Sequence, residues 1–469
     1  MLFKNTNNST FANNASALWR LAGPLMLGQI AVVGMNVTDI YVAGQVSADT
    51  LAAVQLGGSM WAMINLVVIG IMIGNSPIIG NYWGAGKPHL VRFQFQQALW
   101  LAVPMGILVN CAILCGIFIL GKLDISTNVY DIGRSYMMPF LITGLMFPAF
   151  FAFRSTFEGI GDTRPVMVFN AAAFLLNIVL DYALVFGHFG FPAMGGEGAA
   201  WATATVMTFL LLCMAIYAQR SRTMRSLKLY HQFARAKLSA IGNILKLGVP
   251  IALNISAEMS FFAIIPLLVA HLGSGVLGAH AIAINIDSLA FMVPLGMAQA
   301  LTIMVAHAEG SKNPKFARQI CLVGYKLVFI LALFMAAIKI IFRSDFASAF
   351  SADPNVQMIA MNLFFFAALL GCIDCLQMCA SGALRGYKDV RLPLLIQVTA
   401  FWGIAFPIAY SLALTDFWGE PLGVYGFWAG MVIGALCAGV GLMTRWNIVS
   451  RSRIHAGANE QEPVSNGPR

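Results

Sequence analysis

Long apolar runs separated by short polar intervals account for most of this chain. They fall at residues 18–40, 51–78, 93–121, 135–153, 165–187, 198–218, 242–270, 277–306, 319–342, 356–383, 392–414 and 423–445. A helix that crosses a bilayer needs about 20 successive, mostly apolar residues, and each run reaches roughly that length. The runs are too long for barrel strands and lack strict alternation between two faces. The pattern predicts an all-α integral membrane protein with twelve transmembrane helices, numbered here as spans 1 to 12. The first 20 residues are polar and rich in Asn and Ser, with no short apolar core ahead of a small-residue cleavage site. Span 1 is therefore expected to stay in the membrane.

Composition agrees with the membrane class. Hydrophobic residues make up 59% and charged residues 10%, against about 25% charged in a soluble domain. The net charge of +9 is best explained by its placement. Of the 28 Lys and Arg, 23 fall in the two tails and in alternate loops, including Lys87, Arg92, Arg164, Arg222, Lys237, Lys315 and Arg391. The intervening loops hold Lys122, Arg134 and Arg343, with Lys339 close by. Basic loops stay cytoplasmic, so both termini are expected inside. Alternation with the spans accounts for the basic balance without nucleic acid.

The chain also repeats itself. A shift of 226 places Pro24 on Pro250, Gly70 on Gly296, Gly84 on Gly310 and Arg92 on Arg318. A shift of 227 places Gly159 on Gly386, Asp162 on Asp389, Gly196 on Gly423 and Trp201 on Trp428. Each half holds six spans, so both run in the same direction. The expected layout is a tail at 1–17, a first lobe at 18–218, a basic cytoplasmic linker at 219–241, a second lobe at 242–446 and a tail at 447–469. Two such lobes are expected to be related by a pseudo-two-fold axis along the membrane normal, with a substrate path between them, as in alternating-access transporters.

Acidic residues carry the candidate chemistry. Most of the 19 lie in loops or tails, but Asp39, Asp181, Glu258, Asp287 and Asp374 lie in or near apolar spans. An Asp at the bilayer centre costs about 2.5–3.5 kcal/mol on insertion scales. No Lys or Arg lies near mid-span to pair with all five. A carboxylate in low dielectric needs a proton or a cation to offset its charge, and the two compete for it; antiport rests on that competition. Asn177 precedes Asp181 by one helical turn and shares its face, so Asp39, Asn177 and Asp181 are expected to form one polar site. Glu258 and Asp374 are expected to form a second. The duplication did not produce these acids: Asp39 falls on Ile265 and Asp374 on Phe147. For Asp287 a structural and a functional role are equally compatible with the sequence. The 34 Phe, 25 Met and 9 Trp suit a lipophilic cation through cation–π and thioether contacts, although most are expected to face lipid or pack helices.

Other motifs lead nowhere. There is no HExxH or GxSxG. Gly116–Lys122 (GIFILGK) lacks the Ser or Thr of a Walker A loop and ends an apolar run. Cys372 and Cys375 form a C-x-x-C inside span 10, where cysteines act as small hydrophobes.

Three segments resemble the multidrug and toxic compound extrusion family, in particular its NorM-like branch. They are TDIYVAGQVSADTLAAVQLG (Thr38–Gly57), GVPIALNISAEMSFFAIIPLLVAHLG (Gly248–Gly273) and CIDCLQMCASGALRGYKD (Cys372–Asp389). The resemblance runs from Leu21 to about Trp446. It implies two six-helix lobes and cation-coupled drug export without an organic cofactor. It assigns Asp39 to the first-lobe acid, with Asn177 and Asp181 of the NIVLD segment near it, and Glu258 and Asp374 to a second-lobe cation site that could hold sodium. Some sodium-coupled members carry Tyr one turn before the span 10 acid, where this chain has Leu370. Acids in both lobes leave H+ coupling, Na+ coupling or both open. The expected protein is thus a secondary transporter rather than an enzyme. It is expected to work as a monomer in the bacterial inner membrane, surrounded by lipid and exporting small lipophilic cations. A lipid-linked sugar flippase of the same superfamily would need a basic cavity, and a membrane-embedded enzyme would need a catalytic cluster at the membrane surface. The sequence offers neither.

The charge bias makes a direct prediction. In a cysteine-free background, Tyr230→Cys should resist a membrane-impermeant maleimide in intact cells and react after permeabilisation. Labelling in intact cells would invert the topology.

Overall fold

A computed structural model describes residues 10–459, and among them all regular structure is helical. Twelve helices are long and apolar enough to span a membrane: Phe11–Val46, Ala48–Gly84, Pro88–Leu120, Phe140–Gly159, Arg164–Phe186, Gly196–Arg220, Leu238–Leu272, Ser274–Gly310, Pro314–Ile341, Pro354–Gly386, Arg391–Leu414 and Val424–Ala456. They correspond in order to spans 1–12. Most extend beyond the apolar runs, because a helix continues into the interface until a turn stops it.

The chain divides into two compact units, Leu27–Ala252 and a second made of Met1–Met26 with Leu253–Arg469. The division falls inside spans 1 and 7, whereas the sequence reading placed the lobe boundaries in polar segments. Close helix approaches explain the exchange of ends. A Cβ on Gly70 would stand 2.8 Å from the Ala252 nitrogen, and one on Gly296 would stand 2.9 Å from the Met26 nitrogen. Small residues allow helix backbones to meet at this range.

These two approaches are the same contact 226 residues apart, and the repetition extends to the turns. Asp162 N–H donates to the Phe157 carbonyl at 2.9 Å, and Asp389 N–H to the Leu384 carbonyl at 3.0 Å, the expected shift of 227. Near the end of each half the register corrects the sequence comparison. Gly195 N–H donates to Val185 and Gly423 N–H to Ala413, both at 3.2 Å. The equivalent of Gly423 is therefore Gly195, not Gly196. Both glycines have positive φ, 57° and 58°, which only glycine adopts without strain. Trp201 and Trp428 consequently differ in role. Trp201 bonds Glu197 on its own helix at 3.2 Å, whereas Trp428 is fully buried against His280 at 3.2 Å.

Proline marks a further departure from symmetry. Span 10 is continuous from Pro354, but its first-half counterpart is interrupted at Pro139, giving a separate helix Thr127–Met137 before span 4. Proline supplies no N–H to the helical ladder and crowds the preceding turn. The linker is also more ordered than its charge suggests. After a short helix, Arg222–Leu227, its backbone is held by two side chains of span 3: Gln96 donates to the Leu229 carbonyl at 2.9 Å and Gln97 to that of Arg235 at 3.0 Å.

Repetition of the turn contacts can be tested. A Cβ on Gly198 would lie 2.7 Å from the Leu184 carbonyl carbon, and one on Gly426 would lie 2.7 Å from that of Leu412. Gly198→Val and Gly426→Val should each destabilise the protein by about 1–3 kcal/mol, the usual cost of overpacking. Thermal unfolding in detergent should show both losses. Gly242→Ala, which meets nothing within 4 Å, should leave the midpoint within error or slightly raised.

Candidate functional site

The five membrane carboxylates fall into separate polar clusters inside the two units. In the unit Leu27–Ala252, Asp39 comes from span 1, Asn177 and Asp181 from span 5 and Thr203 from span 6. The Asn177 amide donates to Asp39 Oδ1 at 3.1 Å, and the Thr203 hydroxyl donates to Oδ2 at 3.1 Å. Asp181 is fully buried, and neither of its oxygens accepts a well-formed hydrogen bond among the described residues, although Asn177 and the Asp39 carboxyl are close by. Two carboxyl groups in this relation bond to each other only through a shared proton. Tyr136 is near enough to feel the charge of both. The expected trio is thus brought together. Thr203 and Tyr136 escaped notice because a Thr or Tyr in an apolar run gives no sign of which face it occupies.

In the other unit Asp374 is near enough to feel the charge of both Glu258 and Asp287, and each of the three acids has further partners of its own. Glu258, on span 7, accepts from the Gln377 amide of span 10 and the Gln397 amide of span 11, both at 3.2 Å. Span 11 relaxes into a π-helical segment, Thr399–Ala405, two residues after Gln397. Its Trp402 indole donates to the Ala257 carbonyl at 3.0 Å. Such wide turns recur at functional sites; here one faces span 7 beside Glu258. Arg385 is buried and acts electrostatically on Glu258, yet its Nε and Nη2 find no hydrogen-bond partner among the described residues.

Asp374 lies one turn away on span 10 from Gly371, in a small cavity with Asp287 and Lys339. Its Oδ1 has no hydrogen-bond partner among the described residues. Asp287 is ion-paired with Lys339, whose ammonium also donates to the Ala367 carbonyl at 3.2 Å. Two sequence readings change accordingly. Lys339, placed near an outer loop, is a buried residue of span 9, 4% exposed. Asp287, open between two roles, has a specific basic partner. Among the described residues no group of three or more His, Cys, Asp and Glu is arranged to hold a metal ion.

The family model named MatE matches residues 24–183 and 250–411. The chain belongs to the MatE family. The two matched blocks divide between the two sequence halves, in keeping with the duplication. Among curated proteins, multidrug resistance protein PmpM of Pseudomonas aeruginosa is 36% identical over 433 residues, 91% of this chain and 90% of that one. Multidrug resistance protein NorM of Vibrio vulnificus is 35% identical over 438 residues, covering 93% and 96%. These relatives place the chain with the NorM-like MatE transporters, which are not enzymes. Among solved structures, a MATE protein in a straight conformation superposes with a TM-score of 0.84 at 22% identity, covering 95% of this chain and 97% of that one. A transporter of the MOP superfamily from Pyrococcus furiosus gives 0.82 at 22% identity, with the same coverage. At this identity the likeness is one of fold.

The buried ion pair gives a stability prediction. Removing one member of such a pair leaves an uncompensated charge and costs about 3–5 kcal/mol, whereas replacing both can be neutral. Asp287→Asn and Lys339→Met should each lower the yield and thermal midpoint of purified protein, and the double variant should recover most of the loss. Additive losses would mean that the two residues are energetically independent.

Proposed function

We propose that this MatE transporter exports small lipophilic cations from the bacterial cytoplasm across the inner membrane, in exchange for protons, sodium ions or both. The reading rests above all on one observation: within the membrane spans, carboxyl oxygens are buried without a hydrogen-bond donor among the described residues, both of Asp181 in one unit and Oδ1 of Asp374 in the other. Such a group is stable when a proton or a cation completes it, and discharging one for the other is an exchange step. In the first lobe, Asp39 and Asp181 share a proton or small cation, with Asn177 and Thr203 orienting Asp39. When the proton is present, the attraction for a cation is lost. A drug bound through that attraction is then released as a proton enters from the outer side.

The names of the relatives PmpM and NorM, each called a multidrug resistance protein, support export of more than one compound. The buried carboxyl pair Asp39 and Asp181, with no basic side chain acting on it, favours cationic over anionic cargo, which separates this reading from a flippase of pyrophosphate-linked sugars. Glu258 and Asp374 act in the second lobe, with Glu258 positioned by Gln377 and Gln397. The alternating basic loops support cytoplasmic termini and a cytoplasmic linker.

Ethidium transport into everted vesicles, with proton and sodium gradients imposed one at a time, tests the proposal. At matched expression Glu258→Gln and Asp374→Asn should each abolish gradient-driven transport. Asp39→Asn should weaken drug binding most at high pH, where the wild-type carboxylate is ionised, and flatten the pH profile between pH 5 and 9. Adding Asp181→Asn should cost little more, because the two acids act as one unit. Wild-type transport by all three single variants would remove the carboxylates from the mechanism.

A further inference from the structure

The Asp287–Lys339 pair adds a second charge pattern to the acidic site of the second unit, one that the export reading does not use. The cavity is formed where spans 8, 9 and 10 meet, with Asp287 and Phe291 from span 8, Met335 and Lys339 from span 9, and Gly371 and Asp374 from span 10. Its volume is about 20 Å³. One water needs roughly 10–15 Å³ measured in this way, so the space fits a water or a small ion. Gly371 leaves room for the lysine: a Cβ there would stand 3.0 Å from Lys339 Nζ and 3.7 Å from Asp287 Oδ1. The ammonium therefore sits against span 10, one turn from Asp374.

The oxygen acceptors around this cavity are Asp287 Oδ1, the Ala367 carbonyl and the Asp374 carboxyl group. Lys339 already engages the first two, and its charge acts on the third. A hard cation such as sodium would need those same oxygens. It would also have to lie a few ångströms from a fixed positive charge in a low-dielectric setting, where repulsion is strongest. None of this depends on the duplication, since residue 113, which the 226 shift places opposite Lys339, is Ile.

We propose that Lys339 is a tethered counter-cation that occupies the cation position between spans 8, 9 and 10, so that Asp287 and Asp374 bind no alkali-metal ion. Lys339 is thereby the residue that sets coupling-ion specificity in this unit. The inference rests on the export reading for its consequence, the choice of coupling ion, but not for its chemistry. Arg at this position would keep the exclusion; a neutral residue would convert the cavity into an alkali-cation site lined by two carboxyl groups and a backbone carbonyl.

The test uses purified full-length protein, comparing thermal stability and 22Na+ binding in sodium chloride against choline chloride at equal ionic strength and pH. Any sodium response of the wild type should survive Asp374→Asn, because it cannot arise in this cavity. Lys339→Gln should gain sodium-specific stabilisation and at least tenfold tighter 22Na+ binding than wild type, and the gain should vanish when Asp374→Asn is added. If Lys339→Gln does not fold, Asp287→Asn/Lys339→Gln, which leaves no unpaired carboxylate from the ion pair, should show the same gain in weaker form. Wild-type sodium binding that Asp374→Asn removes would overturn the proposal. So would the absence of any gain in the folded neutral variants. Proton-driven ethidium transport by wild-type vesicles is measured alongside: its absence would overturn the export reading and leave the sodium comparison standing.

Discussion

The cost of leaving a charge or a polar group unsatisfied inside the membrane governs this protein. Main-chain groups meet it by remaining helical across each span. Exposed Ser and Thr within the spans meet it by bonding carbonyls of their own helix, and the buried carboxyl groups by meeting side chains of other spans. Asp39 takes donors from spans 5 and 6, Glu258 takes amides from spans 10 and 11, and Asp287 takes the ammonium of span 9. Asp181 and Asp374 are less completely satisfied.

The duplicated framework explains how such sites became different without disturbing the fold. Contacts that set the backbone repeat in both halves: the Gly70 and Gly296 approaches, the turns after spans 4 and 10, and the positive-φ glycines 195 and 423. Side chains at the polar clusters do not repeat. Asp39, Glu258, Asp287, Asp374 and Lys339 all face apolar residues in the self-comparison, respectively Ile265, Val32, Trp61, Phe147 and Ile113. A frame fixed by glycines and turns tolerates such divergence because helix position is set by backbone approach, and the cluster residues only need to satisfy one another.

The π-helical segment of span 11 and the break at Pro139 are local exceptions that shape each unit. One widens the helix beside Glu258. The other converts the entry to span 4 into a separate helix carrying Tyr136, which comes close to the Asp39–Asp181 pair. Each changes the direction of a side chain without changing the number of spans, so a site can be adjusted while the membrane crossing stays intact.

The sequence by itself determined the class of the protein, the number and order of its spans, the internal repeat and the identity of the intramembrane acids. Hydropathy is a local property, and a bilayer requires every crossing segment to be apolar along its own length. Family resemblance further marked Asp39, Glu258 and Asp374. Only the tertiary structure decided the partners. Thr203 reaches Asp39 from 164 positions away, Gln397 reaches Glu258 from 139, and Lys339 reaches Asp287 from 52. It also moved the register of the last turn by one residue and placed Asp374 in the cavity with Lys339. An apolar run fixes that a helix crosses the membrane but leaves its rotation about its own axis open. That rotation, set by packing against neighbouring helices, determines which polar side chains meet.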